Sequence, residues 1–408
     1  MEWEKASETE EATKIPSSWL YLHYYDALNV LFRIENALRI LVYVVLKNAK
    51  RDKWLDVPVS SDEATDTTIG ALAKKRIAQH LTFGYLGYVI NAPMMHLTSG
   101  ELVRIITDTH WTLFKDYFPA SKDVVTLKLK EIGDIRNALA HFRPLTLDDV
   151  EAVKQNAKQV LSTGEAALWD MVTCTERVPT NTSAEWYEEL RSLGTDTCSF
   201  LFFQSTDGRW INMILRYKAR IVKQTPDDPK SRVRYDVLNI DTPQVLNLYD
   251  ELRSLTIYLT EWVARASMPE DYKPLFMKRL SFTFSRSALE TEFDKISKNL
   301  KQLLADIDKE TELVAEDSLA KGKLIALTRV LAKKQTSGKG LPVPPAQAVQ
   351  AAPEITKWTI QTELLRCPSG SHHPNEYWGS ISFTDENLIS GSDEFPWMPT
   401  SISSYEPW

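Results

Sequence analysis

The side chains of this chain best suited to act on a phosphodiester are Arg136, Asn137 and His141, set in the run Arg136-Asn-Ala-Leu-Ala-His141. Cutting RNA without a metal takes three contributions at one phosphate. A base removes the proton of the ribose 2′-OH, an acid protonates the 5′ leaving oxygen, and fixed positive charge steadies the phosphorane. An imidazole with a pKa of about 6.5 serves as base or acid at neutral pH. A guanidinium is permanently charged, and its planar donor fork fits phosphate oxygens. Asn137 can donate to the phosphate or fix the histidine tautomer. One copy of the run supplies one imidazole, so a complete acid–base pair calls for a second copy of His141.

A helix has to hold these groups. At about 100° per residue, Glu131 to Phe142 separates into two faces. Ile132, Ile135, Leu139 and Phe142 fall within roughly 80° and make an apolar stripe. Arg136, Asn137 and His141 span roughly 140° on the other side, with Gly133 and Ala140 inside that arc. Such a small-residue floor leaves room for a phosphate or for the matching helix of a second subunit. Three carboxylates stand where they could orient or neutralise the cations: Glu35, Glu131 and Asp134. Glu35 fills the gap in the apolar stripe Leu28, Leu31, Leu38, Val42 and Val45 of a long helix expected over Ser17–Lys50. A lone carboxylate on a core-facing stripe is expensive. Its partner is either Arg39, one turn along, or Arg136 or His141 across the bundle.

The neighbouring segments supply the rest of that bundle. Ser60 to Thr68 is a polar, acidic loop, and Ile69 to His96 is helical in pattern, with Lys74-Lys75-Arg76 on a solvated face. Thr98 or Ser99 caps the next helix, with Glu101 in its first turn. Leu102, Ile105, Ile106, Trp111 and Phe114 carry the core face of that helix up to Phe118-Pro119. Val124 to Phe142 is the helix of the Arg–His run, ended by Pro144, because the residue before a proline avoids helical geometry. Thr146-Leu-Asp-Asp149 is a capping-box-like start for a further helix to about Ser162. Residues 17–175 thus make a bundle of four or five helices behind a polar N-terminal tail, residues 1–16.

On the penultimate helix of such a bundle, Arg136-Asn-Ala-Leu-Ala-His141 resembles the Arg-x4–6-His motif of the HEPN superfamily. The surroundings agree: Ile34-Glu-Asn-Ala-Leu-Arg39 on the long first helix, Leu97-Thr-Ser-Gly-Glu-Leu102 with Trp111 and Phe114 before the motif, and Phe142-Arg-Pro-Leu-Thr146 after it. The arrangement is most similar to the HEPN group named after the yeast nuclear endoribonuclease that clears faulty transcripts. It covers residues about 17–165. The resemblance implies a homodimer that pairs two Arg136–His141 helices into one composite cleft. It implies an endoribonuclease that leaves 2′,3′-cyclic phosphate ends and uses no metal or cofactor. In biological terms it implies a toxin or antiviral defence effector, or transcript surveillance. Some HEPN domains only bind RNA, nucleotides or protein partners, so the same resemblance also admits a catalytically silent scaffold.

After Thr175 the character changes. Cys198-Ser-Phe-Leu-Phe-Phe203 and Trp210–Leu215 flank Asp207-Gly208, a hairpin signal, and Val233–Ile240 adds a strand. Val245–Ala266 and Ala288–Ile307 read as amphipathic helices. Residues 180–335 are therefore expected to be a smaller α+β or mostly helical second domain, sensor or regulatory in role, within a mainly α chain. Residues 336–353, rich in Gly, Pro and Ala, are a linker. The tail, residues 354–408, combines Trp358, Trp378 and Trp397 with acids such as Glu376, Asp385 and Glu394. Such a segment either occupies a basic surface or partner groove, or adds short strands to the second domain.

At 408 residues and 43% apolar content, the chain is long enough for two cores. A net charge of -7 argues against a generally basic coat for nucleic acid but leaves room for one local basic site. Cys174, Cys198 and Cys367 are too scattered for a disulfide framework, which with the polar, acid-rich N-terminus reads as cytoplasmic. The most apolar run, Ile40–Leu46, is too short to cross a bilayer, so no membrane partner is expected. There is no P-loop, dinucleotide fingerprint or nucleophile elbow. Cys367, His372 and His373 lack a fourth ligand at metal-site spacing, so no metal or cofactor is expected.

Overall fold

A helix buried on all sides belongs at the centre of its unit, and every residue from Asn36 to Lys47 is buried. These residues form the second half of α1 (Tyr24–Lys50). The computed structural model describes residues 7–8, 13–14, 23–60, 67–82, 93–143, 145–228, 232–264, 276–315, 322–335 and 357–361. They fall into two compact units, one ending at Asp170 and the other beginning at Met171. Ahead of α1, the two-residue strands β1 (Ser7–Glu8) and β2 (Thr13–Lys14) pair antiparallel. The polar side chains inside α1 are matched except at the buried Arg39 Nε. Asn36 donates to the Phe32 carbonyl at 2.9 Å, Arg39 to Asn36 and the Leu97 carbonyl at 3.2 Å each, and Lys47 lies 3.1 Å from Asp52. Leu28, expected on the core stripe, is exposed instead.

A 3-10 turn, Arg51–Asp56, folds Trp54 edge-on against Tyr43, with ring centroids 5.3 Å apart. On α2 (Ile69–Thr82), Arg76 leaves the solvated face expected for its cluster and makes a two-pronged contact with Glu101, at 2.7 and 2.8 Å. Lys74 and Lys75 stay exposed. α3 (Ser99–Arg104) begins with a capping box between Thr98 and Glu101. The single helix expected onward to Phe118 is broken into a π turn (Ile105–Thr109), α4 (Trp111–Phe114) and a 3-10 turn (Lys115–Tyr117). The β-branched run Ile105-Ile106-Thr107 is stiff in a helix. Thr107 Oγ1 also donates back to the Val103 carbonyl at 2.9 Å, a contact that bends helices.

α5 (Lys122–Ala140) and α6 (Leu147–Thr173) follow. Thr146 and Asp149 cap α6 reciprocally, as their spacing predicts. The helix runs on past Ser162 because Val160, Leu161, Leu168 and Met171 continue a buried stripe, and burial outweighs the weak helix propensity of Ser162-Thr163-Gly164. Gly164 also permits a close approach, since a Cβ there would stand 3.3 Å from the Tyr117 carbonyl oxygen and 3.6 Å from Leu41.

The second unit is α+β. In chain order its strands are β3 (Glu176–Arg177), β4 (Cys198–Gln204), β5 (Trp210–Ala219), β6 (Ile221–Asp228), β7 (Arg232–Ile240), β8 (Tyr258–Ala264), β9 (Phe276–Ser285), β10 (Ile325–Gln335) and β11 (Lys357–Gln361). One sheet has the order β3-β4-β5-β9-β8 and the other β11-β10-β7-β6, with antiparallel pairing throughout. The hairpin turn of β4 and β5 uses Gly208 at φ 68°, a conformation glycine adopts freely. Met213, Leu215, Phe282 and Phe284 share a core with Ile296, Leu300, Leu303 and Ile307 of α10 (Arg286–Ala315), and α7 (Glu185–Arg191) adds Trp186 and Leu190.

The single helix expected over Val245–Ala266 does not form. α8 (Thr242–Leu248), α9 (Asp250–Leu255) and β8 stand in its place. Tyr249 leaves helical geometry at φ -123° and ψ 89°, and the β-branched and aromatic residues around Ile257 and Tyr258 suit pleated pairing along β9. Lys357–Gln361 of the tail pairs with β10, so at that point the tail adds a strand. Residues 336–353 and 362–408, and with them the linker and the acidic aromatic segment, lie outside the described residues. No helix among the described residues is long and apolar enough to cross a membrane.

Candidate functional site

α5 buries Val125, Leu129, Ile132 and Leu139. At about 100° per residue, Arg136 lies within roughly 60° of each of them. This corrects the expectation that Arg136 shares an open face with Asn137 and His141. The buried stripe is centred closer to Arg136, while Phe142, expected within it, is 73% exposed. Arg136 Nε stands 3.5 Å from Glu35 Oε2 on α1, and the arginine side chain remains 36% exposed. Asn137 and His141 are exposed.

His141 is not a helical residue. It is the C-cap of α5, at φ -98° and ψ 16°. Beyond it the Phe142 amide donates to the Leu139 carbonyl at 3.0 Å and the Arg143 amide to the Ala138 carbonyl at 2.9 Å. This is the paired bonding that closes a helix on a left-handed residue. Phe142 is that residue, at φ 54°. Phe142 thus carries the terminating geometry, and Pro144, expected to end the helix, lies outside the described residues. The Phe142 ring lies parallel to Tyr24 at the start of α1, with centroids 6.5 Å apart and planes 6° apart.

Glu35, 15% exposed, is the hub behind this helix. It pairs with Arg39 on its own helix and with Arg136 on α5, and it accepts from Ser99 Oγ at 2.7 Å. The Arg39 and Arg136 options for Glu35 are therefore realised together, and His141 is not among its partners. One carboxylate facing two guanidinium groups leaves the junction of α1, α3 and α5 net positive. Glu131 serves elsewhere. Lys128, at 3.0 Å, and Asn156 of α6, at 2.8 Å, take its carboxylate and hold its pKa below the usual range. Asp134 is exposed. Neither Glu131 nor Asp134 contacts Arg136 or His141, so the carboxylate support expected from them is absent.

Gly133 keeps the open floor, since a Cβ built there meets nothing within 4 Å. Beneath Arg136 a cavity of about 20 Å³, lined by Ile34, Glu35, Ser99, Ile132 and Gly133, has room for one water. The cavity is therefore too small for a phosphate, and the accessible part of the guanidinium is the part exposed outside it. Sequence reasoning missed three contributors: Ser99, Tyr24 and the exposed ring of Phe142. Ser99 carries a readable signal, because two adjacent hydroxyl residues cannot both cap one helix, and the spare one is free to bond elsewhere. Phe142 carries none, since a left-handed helix end is ordinarily read from glycine or asparagine. Among the described residues no group of three or more His, Cys, Asp or Glu side chains is placed to hold a metal, and Cys367, His372 and His373 lie outside those residues. Comparison with family models, with curated proteins and with solved structures found no match to this chain.

Proposed function

We propose that this chain is a metal-independent endoribonuclease of the HEPN type, cutting RNA at a composite site built from two copies of α5. The observation that carries the proposal is Arg136, a guanidinium anchored by Glu35 yet still 36% exposed, on the helix that ends in an exposed histidine. Positive charge fixed before the substrate arrives needs no reorganisation when the phosphorane forms. His141 of one copy takes the 2′-OH proton as the 2′ oxygen bonds to phosphorus. His141 of the second copy protonates the departing 5′ oxygen as its bond to phosphorus breaks. The products are a 2′,3′-cyclic phosphate and a 5′-hydroxyl. On this reading Asn137, exposed and about 100° around the helix from Arg136, donates to the same phosphate.

A second reading, a catalytically silent module that binds RNA or assembles with protein, is favoured by Glu35 already answering the charge of Arg136. One assay separates the two. Purified protein is incubated with single-stranded RNA in EDTA, and the ends of the products are identified. Cleavage is expected to leave cyclic phosphates and to spare DNA. It should fall about 10²–10⁴-fold in His141→Ala and about 10²–10³-fold in Arg136→Ala. Undiminished cleavage by His141→Ala overturns the nuclease reading, and RNA binding by the parent without cleavage supports the silent module.

A further inference from the structure

The position that closes α5 is left-handed, which glycine fills without strain, yet it carries a phenylalanine at φ 54°. Burial does not account for the choice, because Phe142 is 73% exposed. Its ring lies parallel to Tyr24 with centroids 6.5 Å apart, a displaced contact that steadies the ring while leaving it largely open. On either side in the chain stand exposed His141 and Arg143. The carbonyls of Asn137, Ala138 and Leu139 are already taken by the amides of His141, Arg143 and Phe142. The last turn of α5 therefore presents three satisfied carbonyls beside the exposed side chains of the loop. An exposed aromatic ring between a histidine and an arginine is a combination that grips unpaired nucleic acid, with the ring under a base and the arginine beside a phosphate.

We propose that Phe142, steadied by its contact with Tyr24, is the stacking platform for an unpaired nucleobase next to the phosphate at His141, with Arg143 beside the adjoining phosphate. This rests on the RNA reading above and narrows it to single-stranded RNA, because a base inside a duplex has both faces already stacked. The probe is a fluorescent single-stranded oligonucleotide with 2′-O-methyl riboses, which lacks the attacking hydroxyl and survives the measurement. A companion strand has the same backbone with its central positions abasic.

Phe142→Ala in the full chain should weaken binding of the based strand roughly 5- to 150-fold, the loss of one base–aromatic stack. It should leave the abasic strand unaffected, and Phe142→Trp should restore the lost affinity. Phe142→Gly suits the left-handed backbone. It should show the same base-dependent loss with no drop in unfolding temperature, which separates the ring from the fold. Equal weakening of both strands, or no weakening, overturns the platform and leaves the nuclease reading standing. A parent protein that binds neither strand overturns the RNA reading and the platform with it. A change in oligomeric mass for Phe142→Gly without base-dependent loss also overturns the platform, assigning the ring to a protein contact.

Discussion

Replacing Glu35 with glutamine removes the negative charge that Arg39 and Arg136 share, while leaving a carbonyl that can still accept from Ser99. Arg39 is 8% exposed, so its guanidinium cannot turn to water for compensation. Breaking a buried ion pair by removing one partner costs about 3–5 kcal/mol. Arg39 keeps its bonds to Asn36 and to the Leu97 carbonyl, which puts the expected loss near the lower end, about 3 kcal/mol. Arg136→Ala is a different case. That guanidinium is 36% exposed and 3.5 Å from the carboxylate, and Glu35 retains Arg39 and Ser99 without it, so about 1 kcal/mol or less should be lost. Native-state hydrogen exchange at the α1 amides reads the stability of the N-terminal unit directly. It should be run on both single variants and on the double variant at pH 7. The coupling between Glu35 and Arg136 should come out below about 1 kcal/mol. A loss for Arg136→Ala equal to that for Glu35→Gln would refute the reasoning. Arg136 would then be an ion the bundle requires, with no charge to spare for a phosphate.

The remaining predictions concern two buried groups. Burial works to raise the Glu101 pKa, but the Arg76 guanidinium and the Thr98 amide together outweigh it and hold the carboxyl below the usual range. A depressed folded-state pKa means that the ionised form contributes stability fully above the unfolded value of about 4.3, and that this is lost as pH falls through the lower folded value. Glu101→Gln should therefore be less stable than the parent at pH 7 and should lose less on acidification below about pH 4 in urea melts; an unchanged acid limb would count against the Arg76 clamp. Burial pushes the Cys198 thiol up to about 11. Iodoacetamide near neutral pH should leave Cys198 unmodified in the native protein and alkylate it after unfolding, as mass spectrometry would show; rapid native labelling would contradict the burial.

What could be read from the sequence was whatever a few neighbouring residues decide. Thr98 with Glu101, and Thr146 with Asp149, mark helix starts because both partners of each cap lie within one turn. Asp207-Gly208 marks the β4–β5 hairpin for the same reason. The misread segments are those whose state depends on distant partners. Tyr258–Ala264 has an apolar content compatible with either helix or strand, and it becomes β8 because β9 offers it an edge. β9 was itself obscured by Lys278, a buried lysine on the core face that breaks the apolar alternation. The Ile240 carbonyl, at 2.6 Å and 38 residues away in sequence, accepts from its ammonium.

The candidate site was misjudged at two steps, the centring of the apolar stripe on Ile135 and Phe142 and the assumption that α5 continues as a regular helix through His141. Drawn that way, Arg136, Asn137 and His141 share a face. With Phe142 left-handed, the last helical residue is Ala140 and His141 belongs to the turn. Arg136 falls on the inner stripe against Glu35 because Val125, Leu129, Ile132 and Leu139 centre the buried face on it. The guanidinium faces Glu35 of α1, while His141, at the C-cap, is exposed. Between them run Gly133, Asn137 and Ala140, which fall within roughly 60° of one another. Gly133 is open above its Cα, and Asn137 and Ala140 are exposed. This strip is narrow-sided enough for a second α5 to approach closely, and a symmetric pairing along it would set Arg136 of one copy beside His141 of the other. On the proposed reading, the separation of cation and imidazole within one chain is what a composite site would require, each copy contributing one edge of the groove.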